Sequence, residues 1–540
     1  MRRDQCGVGR LPVATVRCDD ASMRASRQPE HGIAVPGRTA MSTRRLRPSG
    51  PVVLPLPDLE GIDVVGVASL LRGLPGLAVL ESARPGHRSR WSYVTADPVA
   101  VVDAPGPGGE TFRPAREALA RMAGAGVGTT GSGGGAGSGG STGSGGGATP
   151  PFAGGLVGYL SYDLGRELER LPALATDDQG LPALRLGLYA WVVAIDRSTG
   201  RVVLAGRPVD GDVAGFRGRF DEVRARLEAG VGVARAAKAA RAEHPGPRSP
   251  SGLRFRSGVD RAMYEARVVA VREAIAAGEI YQANLARRLE VPFDGDPWPV
   301  FERLRAGDPA TFAAYLDLGR DPAGDRRAIL SASPEPFLAV DARGRVATDP
   351  IKGTRPRGRT RAEDRALAAE LLASTKDRAE NVMIVDVLRN DLGRVCVPGS
   401  VRVPRLCRLE RTSSVQHLVS TVTGVLAPGA DAFDLLAASF PGGSITGAPK
   451  IRAMEIIEEL EPVRRGPYCG AALWVGPDGA MGSSILIRTL IADGSRLTLH
   501  VGGGITRRSD PAAEWEETRV KARGPLGAIG AIGVIGAEGS

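Results

Sequence analysis

The chain has 540 residues, of which 42% are hydrophobic and 24% are charged, and its formal net charge is +10. Six of these positive charges arise in residues 1–50, which hold ten arginines and four acids. The small excess over the rest of the chain is not a basic stripe, so nucleic acid is not an expected partner. No run of about 18 apolar residues occurs, which argues against a membrane partner.

The five cysteines are odd in number and form no CxxC pair, so neither a disulfide framework nor a zinc site is predicted. Free thiols are typical of a reducing compartment, and the expected location is the cytoplasm. The opening Met1-Arg2-Arg3 is not followed by an apolar segment, which argues against a signal peptide. Met41 is an alternative start.

Composition divides the chain into regions. Residues 1–50 are rich in Arg, Pro and Ser without periodicity, which predicts a disordered basic tail. Residues 51–245 form a first globular region that is interrupted by a Gly/Ser linker over residues 123–150. The densest pattern of helices and strands, over residues 252–525, is the candidate catalytic region, and residues 526–540 are predicted to be a flexible tail.

Apolar residues recur with helical or alternating spacing in both globular regions. The predicted helices are 217–241, 263–277, 361–373, 375–392, 430–439 and 449–460. The predicted strands are 184–196, 202–207, 337–340, 470–475 and 496–501, with further strand-like stretches at 80–82 and 90–93. Strands separated by helices of uneven length favour a layered α+β fold over a regular βαβ series.

The first chemical pattern is a charged stripe on a helix near the C terminus. A Ser-Asp-Pro sequence precedes this helix and suits a helix start. Glu514, Glu517 and Lys521 then fall at positions i, i+3 and i+7, on one face. A solvated face with ion pairs is the simpler interpretation, whereas a face that lines a cleft would supply metal-binding carboxylates and one cation.

A further acid, Glu380, lies in the first turns of the predicted helix 375–392, where the helix dipole favours negative charge. One interpretation is a surface acid. The other is a partner of Glu514 in holding Mg²⁺, a hard cation that binds one or two carboxylates together with substrate oxygens.

Three more stretches combine glycine with a reactive or anion-binding group. The Gly-rich segment 442–449 precedes a helix whose free N–H groups favour anions, but it lacks the Gly-Lys-Ser/Thr ending of a nucleotide-binding loop. Lys352 lies between a proline turn and Gly-Thr, and is either a surface charge or, when desolvated, a nucleophile. Glycines 502–504 end a strand, where they form a bulge or let a ligand lie against bare backbone.

Together, and in this order, these stretches resemble the chorismate-utilising enzymes, which include anthranilate, aminodeoxychorismate, isochorismate and salicylate synthases. The likeness runs from about Pro51 to Gly524 and is strongest after Ser257, with segments 278–285 and 333–335 adding to it. It implies an α+β fold, a large α/β sandwich of antiparallel sheets with flanking helices.

Lys352 separates the branches of this family. Aminodeoxychorismate synthases typically have lysine in this stretch, whereas anthranilate synthases have alanine. Gln282 stands where isochorismate-forming members place a water-activating lysine, and residues 152–163 also resemble the para-aminobenzoate branch. The resemblance therefore implies a large subunit that converts chorismate and ammonia to 4-amino-4-deoxychorismate, for para-aminobenzoate and folate biosynthesis.

The resemblance also implies roles for individual residues. Lys352 would be the nucleophile and Glu335 the general acid, while Glu380 and Glu514 would hold Mg²⁺. Relatives often have threonine at the Ser444 position, and the hydroxyl is retained here. The expected substrate-binding residues are Gln282, Gly353, Thr354, His417, Ser444, Gly503, Gly504, Glu517 and Lys521, with Tyr468 and Arg488 on the enolpyruvyl carboxylate.

None of the cysteines lies in the Gly-x-Cys-x-Gly turn of an amidotransferase, so a separate glutaminase subunit is expected to supply ammonia. No pyruvate-eliminating lyase domain is visible in the sequence, and the product should keep its enolpyruvyl group. Two alternatives stay open: anthranilate synthase component I, which eliminates pyruvate, and a non-catalytic chorismate-binding paralogue.

Overall fold

Two antiparallel β-sheets with helices on their outer faces form the framework of the chain, as seen in a computed structural model. The structure describes residues 50–82, 90–104, 106, 110–122, 149–243, 253–412, 415–531 and 533–535. The predicted basic tail before residue 50 and nearly all of the predicted linker 123–150 lie outside these residues. The described residues belong to one compact unit.

The helices begin close to the predicted positions because short polar side chains cap them. Asp260, Thr360, Ser374, Asp431 and Asp510 each accept a hydrogen bond from a backbone N–H of the helix that follows. The helices are α1 (Val64–Leu71), α2 (Arg113–Ala120), α3 (Gly165–Leu168), α4 (Val213–Glu243), α5 (Arg261–Ala276), α6 (Pro297–Gly307), α7 (Arg361–Ala373), α8 (Thr375–Gly393), α9 (Ala432–Ser439), α10 (Lys450–Leu460) and α11 (Pro511–Ala528).

The strands of both predicted regions share the same two sheets. They are β1 (Val52–Pro55), β2 (Ala78–Glu81), β3 (Trp91–Thr95), β4 (Ala100–Asp103), β5 (Gly155–Leu160), β6 (Leu184–Tyr189), β7 (Trp191–Asp196), β8 (Val202–Gly206), β9 (Arg254–Ser257), β10 (Gln282–Pro292), β11 (Phe312–Arg320), β12 (Arg326–Ser333), β13 (Pro336–Val340), β14 (Arg345–Thr348), β15 (Ile351–Pro356), β16 (Arg402–Arg411), β17 (Val415–Val425), β18 (Gly447–Ala448), β19 (Ala471–Val475), β20 (Met481–Ile485), β21 (Thr489–Asp493), β22 (Arg496–Ile505) and β23 (Gly533–Ile535).

The first sheet has the order β1-β8-β7-β3-β2-β11-β12-β21-β22-β10-β9-β23, with β18 beside β10. The second has the order β15-β17-β14-β13-β20-β19-β5-β6-β4, with β16 beside β17. Strands from before and after residue 250 pair directly, as β2 does with β11 and β5 with β19. The predicted regions 51–245 and 252–525 are therefore distinct in sequence but form one structural unit.

Strand β7 shows how the layers pack. Trp191 and Val193 face a core that also contains residues of α1 and α4, on the outer side of the first sheet. Val192 and Ala194 face the opposite way, into a core shared with Ala472 of the second sheet. Because both faces of the strand are covered, its sequence is a continuous apolar run. The predicted sandwich of antiparallel sheets with flanking helices is confirmed.

Two predictions from the sequence were wrong in detail. The stretch 184–196 is not one strand, because the chain passes from the second sheet to the first at Ala190, between β6 and β7. The flexible tail does not begin at residue 526, since Leu526 and Ile529 are buried and β23 pairs with β9 in parallel. Within the described residues, no helix is both long and apolar enough to cross a membrane.

A buried ion pair anchors the segment that follows α10. Arg465 contacts Glu461 with two hydrogen bonds of 2.6 and 2.8 Å, and Glu461 also accepts the backbone N–H of Ala286 at 2.8 Å. We expect Arg465→Met to lower the free energy of unfolding by about 3–5 kcal/mol, because it leaves a carboxylate buried without its cation. Urea unfolding measures this, with Arg464→Met as the control, since the ion pair of Arg464 with Asp177 is partly exposed.

Candidate active site

Lys352 and Glu335 converge on a single residue, Ser444. The Nζ of Lys352, in β15, donates to the backbone oxygen of Ser444 at 3.2 Å, and the Oγ of Ser444 donates to Oε1 of Glu335 at 2.8 Å. Burial raises the pKa of Glu335, although Lys352 and Ser444 both oppose this effect. A carboxyl with a raised pKa stays protonated at higher pH, as a proton donor requires.

The loop that carries Ser444 is held by close backbone packing. A Cβ at Gly443 would lie 2.6 Å from Cγ1 of Val387 in α8, and a Cβ at Gly447 would overlap the backbone of β10. At the start of α10, Lys450 donates to Oδ2 of Asp391 at 2.8 Å. Glycine is therefore required where this loop passes between α8 and β10, and Lys450 fixes its far end to α8.

Three carboxylates on α8 and α11 form the second part of the site. A Cβ at Gly503 would lie 3.2 Å from Oε2 of Glu514 and 3.0 Å from Oε1 of Glu517, so both side chains lie over this strand residue. Burial is the main cause that raises the pKa values of Glu380 and Glu514, and the charge of Glu517 raises both further. The predicted charged stripe of α11 therefore begins at the buried Glu514 and continues to Glu517 and Lys521, whose side chains are 46% and 43% exposed.

The arrangement of these carboxylates is compatible with the predicted Mg²⁺ site. Oε1 of Glu380 is buried without a hydrogen-bond partner in the described chain, and it lies 3.9 Å from Nζ of Lys376. No group of three or more His, Cys, Asp or Glu side chains able to hold a metal ion by themselves occurs among the described residues. Mg²⁺ commonly takes one or two protein carboxylates and completes its shell with substrate oxygens and water, so Glu380 and Glu514 stay its predicted ligands.

We expect Glu514→Gln to weaken the binding of Mn²⁺, used as a spectroscopic substitute for Mg²⁺, by about tenfold or more, because a buried charged ligand is lost. Electron paramagnetic resonance measures free Mn²⁺ directly and needs no turnover. Glu516→Gln is the matched control, because Glu516 lies on the same helix but pairs with Arg519 in partly exposed positions. If the two variants bind Mn²⁺ with equal affinity, Glu514 is not a ligand of the metal.

The strand residues around Lys352 are arranged by a β-bulge. The register between β15 and β17 shifts between Lys352 and Thr354, which places Gly353 at the irregular position with φ of +76°. A Cβ at Gly353 would lie 2.8 Å from Cβ of Asp377 in α8, so glycine is needed there. Thr354 Oγ1 and His417 Nδ1 are 2.9 Å apart. The bulge thus brings β15 close to α8, the helix that carries Glu380.

The remaining glycine and polar residues line the end of β22. Nζ of Lys521 lies 2.7 Å from Oε1 of Glu517 and donates to the backbone oxygen of Gly502 at 2.7 Å. A Cβ at Gly504 would lie 2.5 Å from Nε2 of the buried Gln282. The absence of side chains at Gly503 and Gly504 therefore leaves room for the side chains of Glu514, Glu517 and Gln282, and contact of a ligand with this backbone stays a prediction.

Tyr468 and Arg488 contact side chains outside this cluster. The buried ring of Tyr468 is stacked on His500, with centroids 5.0 Å apart, while the exposed Arg488 lies 3.6 Å from Oδ1 of Asp308. Within the described chain, neither side chain forms a hydrogen bond or an ion pair with Lys352, Glu335 or Ser444. Their predicted role at the enolpyruvyl carboxylate stays a prediction.

Two side chains of the site, Asn284 and Lys376, were not predicted from the sequence. Asn284 donates its Nδ2 to the backbone oxygen of Ser444 at 2.8 Å. Lys376 lies within the electrostatic reach of both Glu380 and Glu514 and lowers the pKa of each against burial. Both belong to stretches that the sequence analysis singled out, but only long-range pairing shows which of their side chains point inward.

A cavity of about 780 Å³ lies elsewhere in the described chain. It opens between the two sheets and is lined by residues that include Ser82, Trp91, Trp474 and Met481. None of the predicted catalytic, metal-binding or substrate-binding residues lines it. The candidate active site is therefore defined by its converging polar groups and not by cavity size.

Known proteins resemble this chain in overall sequence and in fold. The sequence is 43% identical over 390 residues to anthranilate synthase component 1 of Streptomyces coelicolor, covering 70% of this chain and 73% of that protein. It is 42% identical over 370 residues to aminodeoxychorismate synthase component 1 of Salmonella typhimurium, covering 68% and 75% respectively.

The structure resembles that of anthranilate synthase component I from Streptococcus pneumoniae TIGR4, with a TM-score of 0.64 and 27% identity, over 82% of this chain and 93% of that one. The sequence pattern described as chorismate binding enzyme matches residues 140–527. The chain is therefore a member of the chorismate binding enzyme family.

Proposed function

We propose that the protein acts as the large subunit of an aminodeoxychorismate synthase, which aminates chorismate at ring carbon C4. The observation that carries this proposal is the contact of Lys352 and Glu335 with the same residue, Ser444. This pairing places a primary amine and a protonatable carboxyl on one side of the site. The arrangement suits a reaction in which a nucleophile adds while a poor leaving group is protonated.

The proposed reaction has two steps. The unprotonated amine of Lys352 adds at ring carbon C2, the two ring double bonds shift, and the C4 hydroxyl leaves as water after it takes the proton of Glu335. Ammonia then adds at C4, the double bonds shift back, the bond from C2 to Lys352 breaks, and the extra proton of the new ammonium group returns to Glu335. The products are 4-amino-4-deoxychorismate and water, and the enolpyruvyl group is retained.

Other residues of the chain bind and orient the substrate. Bound Mg²⁺ would supply positive charge to the ring carboxylate and so make the ring more electrophilic. Glu380 and Glu514 would hold the ion. Lys521 neutralises Glu517 through a 2.7 Å ion pair, which limits the negative charge that faces a substrate with two carboxylates.

Ammonia would come from a separate glutaminase subunit. The names of the relatives, which call each of them component 1, support a partner of this kind. The proposal extends to para-aminobenzoate and folate biosynthesis in the cytoplasm.

The decisive test is the mass of the product formed from chorismate, Mg²⁺ and ammonium chloride by the purified protein. We expect a product that retains the enolpyruvyl carbons and that becomes para-aminobenzoate only after a separate lyase is added. Fluorescent anthranilate without added lyase would refute the proposal and establish the rival activity. Binding of chorismate without any turnover would instead support a non-catalytic paralogue.

The rival, anthranilate synthase component I, is favoured by one observation. The similarity to relatives with that activity is as high as the similarity to aminodeoxychorismate synthases. Overall identity therefore does not choose between the two. Lys352 favours amination at C4, because a primary amine at this position can form the covalent intermediate.

A further inference from the structure

Asn284 lies where the two halves of the candidate site meet. In β10 it is paired with Gly504 of β22, and its backbone N–H donates to the oxygen of Thr446 at 2.8 Å. Its backbone oxygen accepts Nη2 of the buried Arg465 at 3.0 Å. These contacts hold the backbone of Asn284 on both sides, so the position of its Cα, from which the side chain extends, is fixed.

The side chain of Asn284 shares an acceptor with Lys352. Nδ2 of Asn284 donates to the backbone oxygen of Ser444 at 2.8 Å, and Nζ of Lys352 donates to the same oxygen at 3.2 Å. A carbonyl oxygen has two lone pairs, so these donors satisfy it fully. A Cβ at Gly504 would lie 3.0 Å from Oδ1 of Asn284, so the carboxamide also depends on glycine at that position.

We propose that Asn284 is a positioning residue, which fixes the carbonyl of Ser444 and, through it, the direction of the Lys352 amine. This inference rests on the proposed function, in which the amine must reach ring carbon C2. Asn284 does not touch the reacting atoms in this account. Its effect is geometric, and a displacement of about 1 Å in a reacting group can cost about 100-fold in rate.

The reactivity of Lys352 tests this arrangement without any substrate. Trace acetic anhydride acetylates unprotonated amines, and peptide mass spectrometry gives the rate at Lys352. We expect Asn284→Leu to speed this labelling several-fold, because the peptide group of Ser444 can turn and release the amine. We expect Asn284→Asp to slow it, because a carboxylate near the lysine favours the charged form. Unfolding would accelerate labelling in both variants, so the opposite signs distinguish positioning from damage.

Steady-state kinetics provides the second readout. We expect Asn284→Leu to lower kcat for amination by about 10- to 100-fold while KM for chorismate changes less than about threefold. Gln179→Leu is the control, because the carboxamide of the buried Gln179 likewise donates one hydrogen bond, to Thr498 Oγ1 at 3.0 Å. This control should leave both kcat and the labelling of Lys352 unchanged.

Wild-type labelling rates in both Asn284 variants would overturn the inference. So would an Asn284→Leu enzyme with normal kcat. Failure of the wild-type protein to aminate chorismate would refute the proposed function alone, because the labelling result does not depend on the product.

Discussion

Replacing Lys352 with alanine is expected to reduce amination of chorismate by about three orders of magnitude, with little change in chorismate affinity. The amine forms the covalent bond in the proposed first step, whereas binding depends on other groups. Single-turnover product formation and equilibrium titration with chorismate measure the two quantities separately. Aminoethylation of a Lys352→Cys variant restores an amine of similar length and should recover part of the activity.

Lys352→Arg separates the two roles that a lysine can have. Arginine keeps the positive charge but is not a nucleophile at ordinary pH, so this variant should be as inactive as Lys352→Ala. An active Lys352→Arg enzyme would show that the residue acts by charge alone. Lys238→Ala is the unaffected control, since the Nζ of this exposed lysine contacts only the backbone oxygen of Gly61 in the described chain.

Glu335→Gln is expected to lower kcat by about 10²- to 10⁴-fold, because the amide cannot protonate the departing hydroxyl. The wild-type rate should also fall as the pH rises through the pKa of Glu335, since activity requires the protonated form. Burial raises this pKa, so the fall should occur at higher pH than for an ordinary carboxyl. The pH profile of kcat measures the effect, and the glutamine variant should lack this part of the profile.

The Ser444→Ala variant is a control for which the direction of the shift in the pH profile of kcat can be predicted. The hydroxyl of Ser444 lowers the pKa of Glu335, so its removal should shift the fall in kcat to still higher pH. The backbone oxygen that accepts Lys352 remains in this variant. A shift to lower pH, or none, would show that Glu335 does not determine the profile.

Local patterns predicted the helices of the catalytic region well. Helix α7 has the predicted bounds, and α8 ends one residue beyond its predicted end, because capping residues and helical spacing lie within a few positions of each other. The one-sided placement of Glu514 and Glu517 also followed from helical spacing. The pairing of Glu380 with Glu514 was one of two interpretations of the sequence, and the family resemblance favoured it over a surface acid.

Contacts over long distances could not be read from these patterns. The bulge at Gly353 depends on Asp377 and Leu371, and the position of Asn284 depends on its pairing with Gly504. Apolar residues predominate on both sides of the switch between sheets at Ala190 despite Arg185, so periodicity alone predicts one strand. In each case the deciding partner lies far away in the sequence.

The interleaving of early and late strands has a consequence for protein engineering. Dividing the gene at a codon for one of residues 244–252 would give two polypeptides. In each of them, some strands would have unpaired edges, because the strands that pair with them belong to the other polypeptide. Neither half should fold alone, and the downstream half would lack β2 and β5 beside β11 and β19 even though it carries every residue of the candidate active site. Activity should return only when both fragments are produced together and assemble.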